Sequence, residues 1–221
     1  MLQRIKNILS GQVYFFTGYI LFLLLLGLVL VVVDKKDSAF WVNQQWNTYL
    51  DVFFKYITYL GDGWVAFSVA VILLVFSSKL KYGFYALVSF VFTAGITQLC
   101  KRVFFSDCMR PSHEYFTEFN RGVWHRVEGV ELLNSNSFPS GHATSAFSVF
   151  CLLTLFSKNK FSGGLFFVLA LLTSFSRVYL SQHFLEDIYF GSLIGCLGTL
   201  LIYVLLDPIK WSEKLNKPLL K

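Results

Sequence analysis

The chain has 221 residues, of which 55% are hydrophobic and only 14% charged, against about 25% charged in an ordinary soluble domain. Its 25 Phe, 11 Tyr and 5 Trp are more apolar side chain than one small soluble core can hide, which excludes a disordered chain, a coiled coil and a soluble secreted domain. The formal charge of +6 is explained by basic residues flanking apolar runs, as membrane topology requires, and no nucleic-acid partner is expected.

Crossing about 30 Å of hydrocarbon takes about 20 mostly apolar helical residues. Six candidates follow in chain order: 13–33, 63–78, 82–100, 139–157, 161–176 and 188–206. The first has no small-residue cleavage site after a short apolar region and is expected to stay as an uncleaved span. Residues 34–62 carry Phe40, Trp41, Trp46, Tyr49, Leu50, Phe53, Phe54 and Ile57 at spacings near 3 and 4, which predicts an interfacial amphipathic helix after the first span. Residues 101–138 read as an irregular loop with Gly122, Gly129 and a Ser/Asn cluster at 134–137. With no internal repeat and no low-complexity linker, residues 1–221 are expected to be a single all-α, polytopic membrane domain.

Six spans put both termini on one side. With the termini inside, the short inner segments hold Arg4, Lys6, Lys79, Lys81, Lys158, Lys160, Lys210, Lys214, Lys217 and Lys221 with only Asp207 and Glu213, whereas the outer basic residues lie mostly in two long loops. The positive-inside rule acts on short loops, so cytoplasmic termini are expected. Cys151 and Cys196 lie in apolar runs as packing residues. Cys100 and Cys108 are close enough to pair, although the spacing alone does not favour a bridge.

Ionisable residues beside membrane helices are costly, so a cluster of them points to function. Three clusters fall on the outer side: Lys101-Arg102 with Arg110-Pro111, then Pro139-Ser140-Gly141-His142, then Ser176-Arg177 with His183 and Asp187. Pro, Ser and Gly opening a helix leave backbone N–H groups free to hold an anion. Arg110, Arg177 and Lys101 or Arg102 add charge-assisted donors to the same anion. His183 and Asp187 stand at i, i+4, so a carboxylate backs an imidazole whose other nitrogen can attack. His142 is a second imidazole, free to protonate a leaving oxygen. The combination fits phosphoryl transfer through a phosphohistidine. Taken singly, His183 would read as a structural histidine, a reading that its spacing to both Arg177 and Asp187 reverses; Arg177 would read as a snorkelling flank residue unless the motif below applies. His113 and His125 match no pattern, no Cys/His spacing suits zinc, and Glu186 is a weak candidate for substrate contact.

These motifs resemble the type 2 phosphatidic acid phosphatase superfamily, which shares its site with vanadium haloperoxidases. Its signature is Lys, six residues, Arg-Pro; then Pro-Ser-Gly-His; then Ser-Arg, five residues, His, three residues, Asp. The second part is matched in full at Pro139 to His142 and the third in full at Ser176, Arg177, His183 and Asp187. In the first part Arg110-Pro111 is present, but eight residues follow Lys101 before Arg110, and seven follow Arg102. The resemblance implies His183 as nucleophile, Asp187 as its partner and His142 as general acid. It also implies a phosphate held by Arg110, Arg177, Lys101 or Arg102, Ser140 and the Gly141 backbone, with neither metal nor other cofactor. The implied activity is hydrolysis of a lipid phosphate or diphosphate, among them undecaprenyl diphosphate, phosphatidylglycerol phosphate, phosphatidate and lipid A phosphates. The compact chain looks bacterial, which implies a multi-pass inner-membrane protein with its site facing the periplasm. The alternative is a membrane transporter of an anionic substrate; six spans argue against a haloperoxidase.

Overall fold

The computed structural model describes residues 2–219, apart from the side chains of Leu2 and Arg4, so Lys221 and the Arg4 side chain of the inner basic set lie outside the described residues. In chain order it runs α1 (Leu2–Gly11), α2 (Val13–Val32), α3 (Lys35–Asn43), α4 (Thr48–Ile57) with a 3₁₀ turn Thr58–Gly61, and α5 (Gly63–Phe76). Next come α6 (Lys81–Leu99) with a π-helical turn Cys100–Phe104, the short α7 (Pro111–Glu114) and α8 (Phe116–Asn120), then α9 (Gly141–Phe156), α10 (Lys160–Tyr179) and α11 (Leu185–Leu206). Among the described residues the structure is all-helical.

Helix α2 shows why the chain belongs in lipid. It is apolar on every face, yet Leu24 and Leu25 are each 65% exposed and Val31 85%. Water would not tolerate that surface, whereas acyl chains match it. Where the chain leaves the apolar helices, short polar side chains close their ends. Asp34 accepts from Lys36 N to open α3, Asn47 from Leu50 N to open α4, and Asn159 from Phe161 N to open α10.

Four helices are long and apolar enough to cross a membrane: α2, α6 with its π-helical extension, α10 and α11. The pair Thr48–Gly61 and Gly63–Phe76, bent by 53°, brings the count to five if taken as one broken span. The six-span expectation is therefore only partly met. Helices α5 and α9, with 14 and 16 residues, reach only about 21 and 24 Å at 1.5 Å per residue. The single amphipathic helix expected over 34–62 is two helices, α3 and α4, because the 44–47 stretch between them breaks the run. Helix α4 is two-faced: Phe54 is buried with Leu50 and Ile57 packed beside it, whereas Tyr49 and Tyr56 are exposed.

The short helix α9 is the hub. Ten of its 16 residues are buried, and it packs on α11, α10 and α6. Gly191 and Gly195 of α11 allow the closest of these approaches, since a Cβ at either would strike the carbonyl oxygen of Ser140 or Thr144. Small residues four apart let two apolar helices come backbone to backbone. This crossing brings the start of α9 against the start of α11, where two of the three sequence clusters lie.

Candidate active site

Helix α10 ends in a tight turn. The N–H groups of Gln182 and His183 both donate to Arg177 O, at 2.9 and 3.1 Å, and Ser181 adopts φ +56°. The turn folds His183 inward until it is 2% exposed. Asp187, in the first turn of α11, places Oδ2 3.1 Å from His183 Nδ1. The same oxygen accepts from Phe184 N at 2.9 Å and from Ser137 Oγ at 2.5 Å. Three donors thus fix the carboxylate, and the carboxylate fixes the ring.

On the far side of the ring, Arg110 Nη1 lies 3.3 Å from His183 Nε2. A guanidinium only donates, so Nε2 carries the lone pair and the proton sits on Nδ1, toward Asp187. Burial pushes His183 well below the usual imidazole range, and the charges of Arg110, Arg177 and Lys101 push it the same way. Both effects favour the neutral ring, whose lone pair is aimed into a cluster of cations.

Arg110 is buried and donates to Gln182 O at 3.0 Å, to Gln182 Oε1 at 3.2 Å and, through Nε, to Ser135 O at 2.8 Å. Burial draws its guanidinium below the usual arginine range, opposed by Asp187. Arg177 Nη1 donates to Thr58 Oγ1 at 2.9 Å, while its Nε is buried without a partner. Lys101 Nζ reaches the carbonyls of Asn136 and Ser137, at 2.5 and 3.2 Å. Among the described residues no carboxylate lies within ion-pair distance of any of these three cations. Buried positive charge that the protein leaves uncompensated suits an incoming anion.

His142, in the first turn of α9, places Nε2 2.9 Å from Asp62 Oδ1, so one of its ring nitrogens is paired. Ser140 is fully buried and caps α9, its Oγ accepting from Ala143 N while its own N–H donates to Asp187 O. Gly141 opens the helix beside it, and both His142 and Arg177 line an open cavity of about 270 Å³ with Lys55, Thr58, Asp62 and Gln182.

The structure thus gathers His183, Asp187, His142, Lys101, Arg110, Arg177, Ser140 and Gly141, and leaves Arg102 exposed and away from these contacts. The two extra residues before Arg110 fall where the π-helical turn Cys100–Phe104 runs into a turn at Ser106–Asp107. Sequence reasoning missed Ser137, Gln182, Thr58 and Asp62. Ser137 lies within the Ser/Asn cluster at 134–137, Gln182 precedes a motif residue, and Asp62 carries no signal beyond standing just before the apolar run at 63–78. Glu186 pairs with Lys35 at 3.0 Å, and His125 with Asp51 at 2.9 Å. Cys100 and Cys108 are free, as are the buried Cys151 and Cys196. Among the described residues no three of His, Cys, Asp and Glu converge as metal ligands would.

These features define a helical membrane protein built around a buried, cation-rich site. The chain matches the PAP2 superfamily over residues 63–211 and belongs to it. Over 68 residues it is 38% identical to the bacitracin transport permease protein BcrC of Bacillus licheniformis, covering 31% of this chain and 32% of that one. Over 65 residues it is 43% identical to YbjG of Escherichia coli K12, provisionally designated an undecaprenyl-diphosphatase, covering 29% and 32%. The chain thus spans about a third of the length of these two relatives. Its fold is similar to that of LpxE from Aquifex aeolicus, with a TM-score of 0.62 and 24% identity over 77% of this chain and 94% of that one. It is also similar to a PAP2-type phosphatidylglycerolphosphate phosphatase of Bacillus subtilis, with a TM-score of 0.54 and 23% identity over 88% and 96%.

Proposed function

We propose that the protein is a membrane phosphatase that hydrolyses a lipid phosphate or diphosphate through a phosphohistidine on His183. The observation that carries this reading is the buried His183 ring, held by Asp187 at Nδ1 and facing Arg110 with Nε2. Phosphorus would bond to Nε2 as the lipid oxygen leaves, with His142 donating the proton; water, activated by the now neutral His142, would then release phosphate. Arg110, Arg177 and Lys101 would hold the phosphate oxygens, and the partnerless Arg177 Nε is a donor ready for one of them. The Gly141 N–H and the Ser140 hydroxyl would add to this clamp. In this reading the stabilising charge is the protein's own, and no metal takes part.

The candidate lipids are undecaprenyl diphosphate, phosphatidylglycerol phosphate, phosphatidate and the lipid A phosphates. The test is phosphate release by the purified protein against this panel, with a chelator present. Release from at least one member at an undiminished rate supports the reading, and no release from any member removes it. The B. licheniformis relative is named for bacitracin transport, and transport is the second reading, here of an anionic substrate that the cations would attract. Against it, the ionisable residues gather at helix ends and do not line a path through mid-span. A flux assay on the same preparation in liposomes separates the two.

We also propose that α5 and α9 cross the inner membrane with the other four long helices, giving six spans, cytoplasmic termini and a site facing the periplasm. Reporter fusions after Lys160 and after Arg121 are then expected to report opposite sides. A cytoplasmic signal from the Arg121 fusion overturns the arrangement. Of the two basic residues that open the first motif, Lys101 is the expected ligand. Lys101→Ala should lower kcat/KM at least about tenfold, the loss of one charge-assisted contact of about 1.5–3 kcal/mol. Arg102→Ala should change it little. Steady-state kinetics with the best lipid of the panel decides, and a larger loss for Arg102→Ala moves the assignment by one residue.

A further inference from the structure

We infer that Asp62 is a positioning residue for His142, forming a second histidine–carboxylate pair that orients the general acid and sets a compensating negative charge beside it. The inference rests on the role given to His142 above. Asp62 occupies the single residue between the 3₁₀ turn Thr58–Gly61 and α5, at the corner where the chain bends by 53°. Its Oδ1 stands 2.9 Å from His142 Nε2. An ionised carboxylate only accepts, so Asp62 favours a proton on Nε2, and Nδ1 is the nitrogen left to exchange a proton with substrate. A negative charge at this distance also favours the imidazolium, the form from which a general acid must start. As the phosphorus–oxygen bond breaks and the bond to His183 Nε2 forms, the Nδ1 proton passes to the leaving oxygen and His142 becomes neutral. The attacking water returns a proton to it in the second half-reaction.

The backbone is built for this contact. A Cβ on Gly61 would lie 2.9 Å from His142 O and 3.0 Å from both His142 Cβ and Thr173 Cγ2, so the corner approaches α9 this closely only with glycine there. The pair is also accessible where a merely structural link would be sealed. The side chains of His142 and Asp62 are 26% and 37% exposed, and both face the cavity that Arg177 lines. The other charges on that cavity are Lys55 and Glu131, and Arg110 lies behind it with Gln182. Arg177 and Arg110 bring positive charge to the same site, and Asp62 is the carboxylate in direct contact with His142 that offsets it.

The test compares kcat/KM for the phosphate monoester lipid of the panel that is hydrolysed fastest with kcat/KM for 4-nitrophenyl phosphate, whose leaving group needs no proton. Asp62→Asn is expected to lower the lipid value at least about tenfold while changing the aryl value much less, and Asp62→Glu to restore part of the loss. In a His142→Ala background, Asp62→Asn should cost nothing further, since the group it positions is gone. Equal losses on both substrates, or an undiminished further loss in the His142→Ala background, would make the pair a structural link and overturn the inference. A His142→Ala variant that itself loses equally on both substrates removes the general-acid role, and the inference falls with it. Selective loss in His142→Ala beside equal loss in Asp62→Asn overturns the inference alone.

Discussion

A His183→Ala variant is expected to fold and insert as the wild type does and to turn over no lipid phosphate. The ring is nearly fully buried, yet its hydrogen-bond partners, Asp187, Ser137 and Arg110, are held by other groups as well: Asp187 by Phe184, Ser137 by Asp187, and Arg110 by Gln182 and Ser135. Removing the imidazole deletes the nucleophile without releasing the frame around it. Asp187→Asn should retain the shape and lose most of the rate, because an amide cannot stabilise the imidazolium that forms as Nε2 bonds to phosphorus. Wild-type enzyme quenched during turnover of labelled substrate should carry acid-labile, base-stable phosphate, and His183→Ala should carry none. Unlabelled wild type together with an active His183→Ala would end the phosphohistidine reading.

The same ring sets a pH dependence. Its folded-state pKa lies well below the unfolded value of about 6.5, so the neutral, attacking form persists as pH falls through that value. Once the substrate's own ionisation is accounted for, the acid limb of kcat/KM that reports His183 is expected below pH 6.5. The sign for stability follows: a buried neutral histidine favours folding above the unfolded pKa, and that contribution is lost as pH falls below it.

How much of this was legible beforehand depended on whether a residue's role lay in local spacing or in long-range packing. The pair His183–Asp187 is four residues apart on one helical turn, so its contact could be read directly. Pro139 to His142 announced a helix start, and α9 does begin there. Each of the six apolar runs falls on a helix, and the run at 63–78 is already short for a span, but hydropathy could not reveal that α9 stops at 16 residues or that α4 and α5 meet at 53°. Those features come from packing around α9. Asp62 and Ser137 were missed for a related reason, lying 80 and 50 residues from the side chains they hold, in segments whose composition suggests only a helix flank and a loop. Lys101 and Arg102 are neighbours in sequence, and only the geometry of the π-helical turn separates a side chain that reaches the 136–137 carbonyls from one that is exposed.

Arg110→Ala should lower kcat by about 10²–10³-fold, the magnitude typical of one preorganised donor aimed at transition-state charge. Arg110 serves two functions at once. It stands 3.3 Å from His183 Nε2, where an oxygen of the transferring phosphoryl group would pass, and it ties the 134–136 loop to Gln182 through four further hydrogen bonds of 2.8–3.5 Å. Arg110→Lys tells the two apart. Lysine keeps the charge but offers a point donor where the guanidinium presents a planar fork, so it can serve the phosphate or the loop carbonyls and not both. Arg110→Lys is therefore expected to recover substrate affinity better than kcat, with KM near the wild-type value and kcat still depressed. The melting temperature in detergent checks the loop. Removal of a buried side chain with this many partners should lower it in Arg110→Ala, and Arg110→Lys should fall between that variant and the wild type. If Arg110→Ala melts as the wild type does and keeps its kcat, the guanidinium neither holds the loop nor stabilises the transition state. If kcat falls only in proportion to a lost fold, its part is to hold the 134–136 loop, and the charge acting at His183 Nε2 has to come from Arg177 and Lys101.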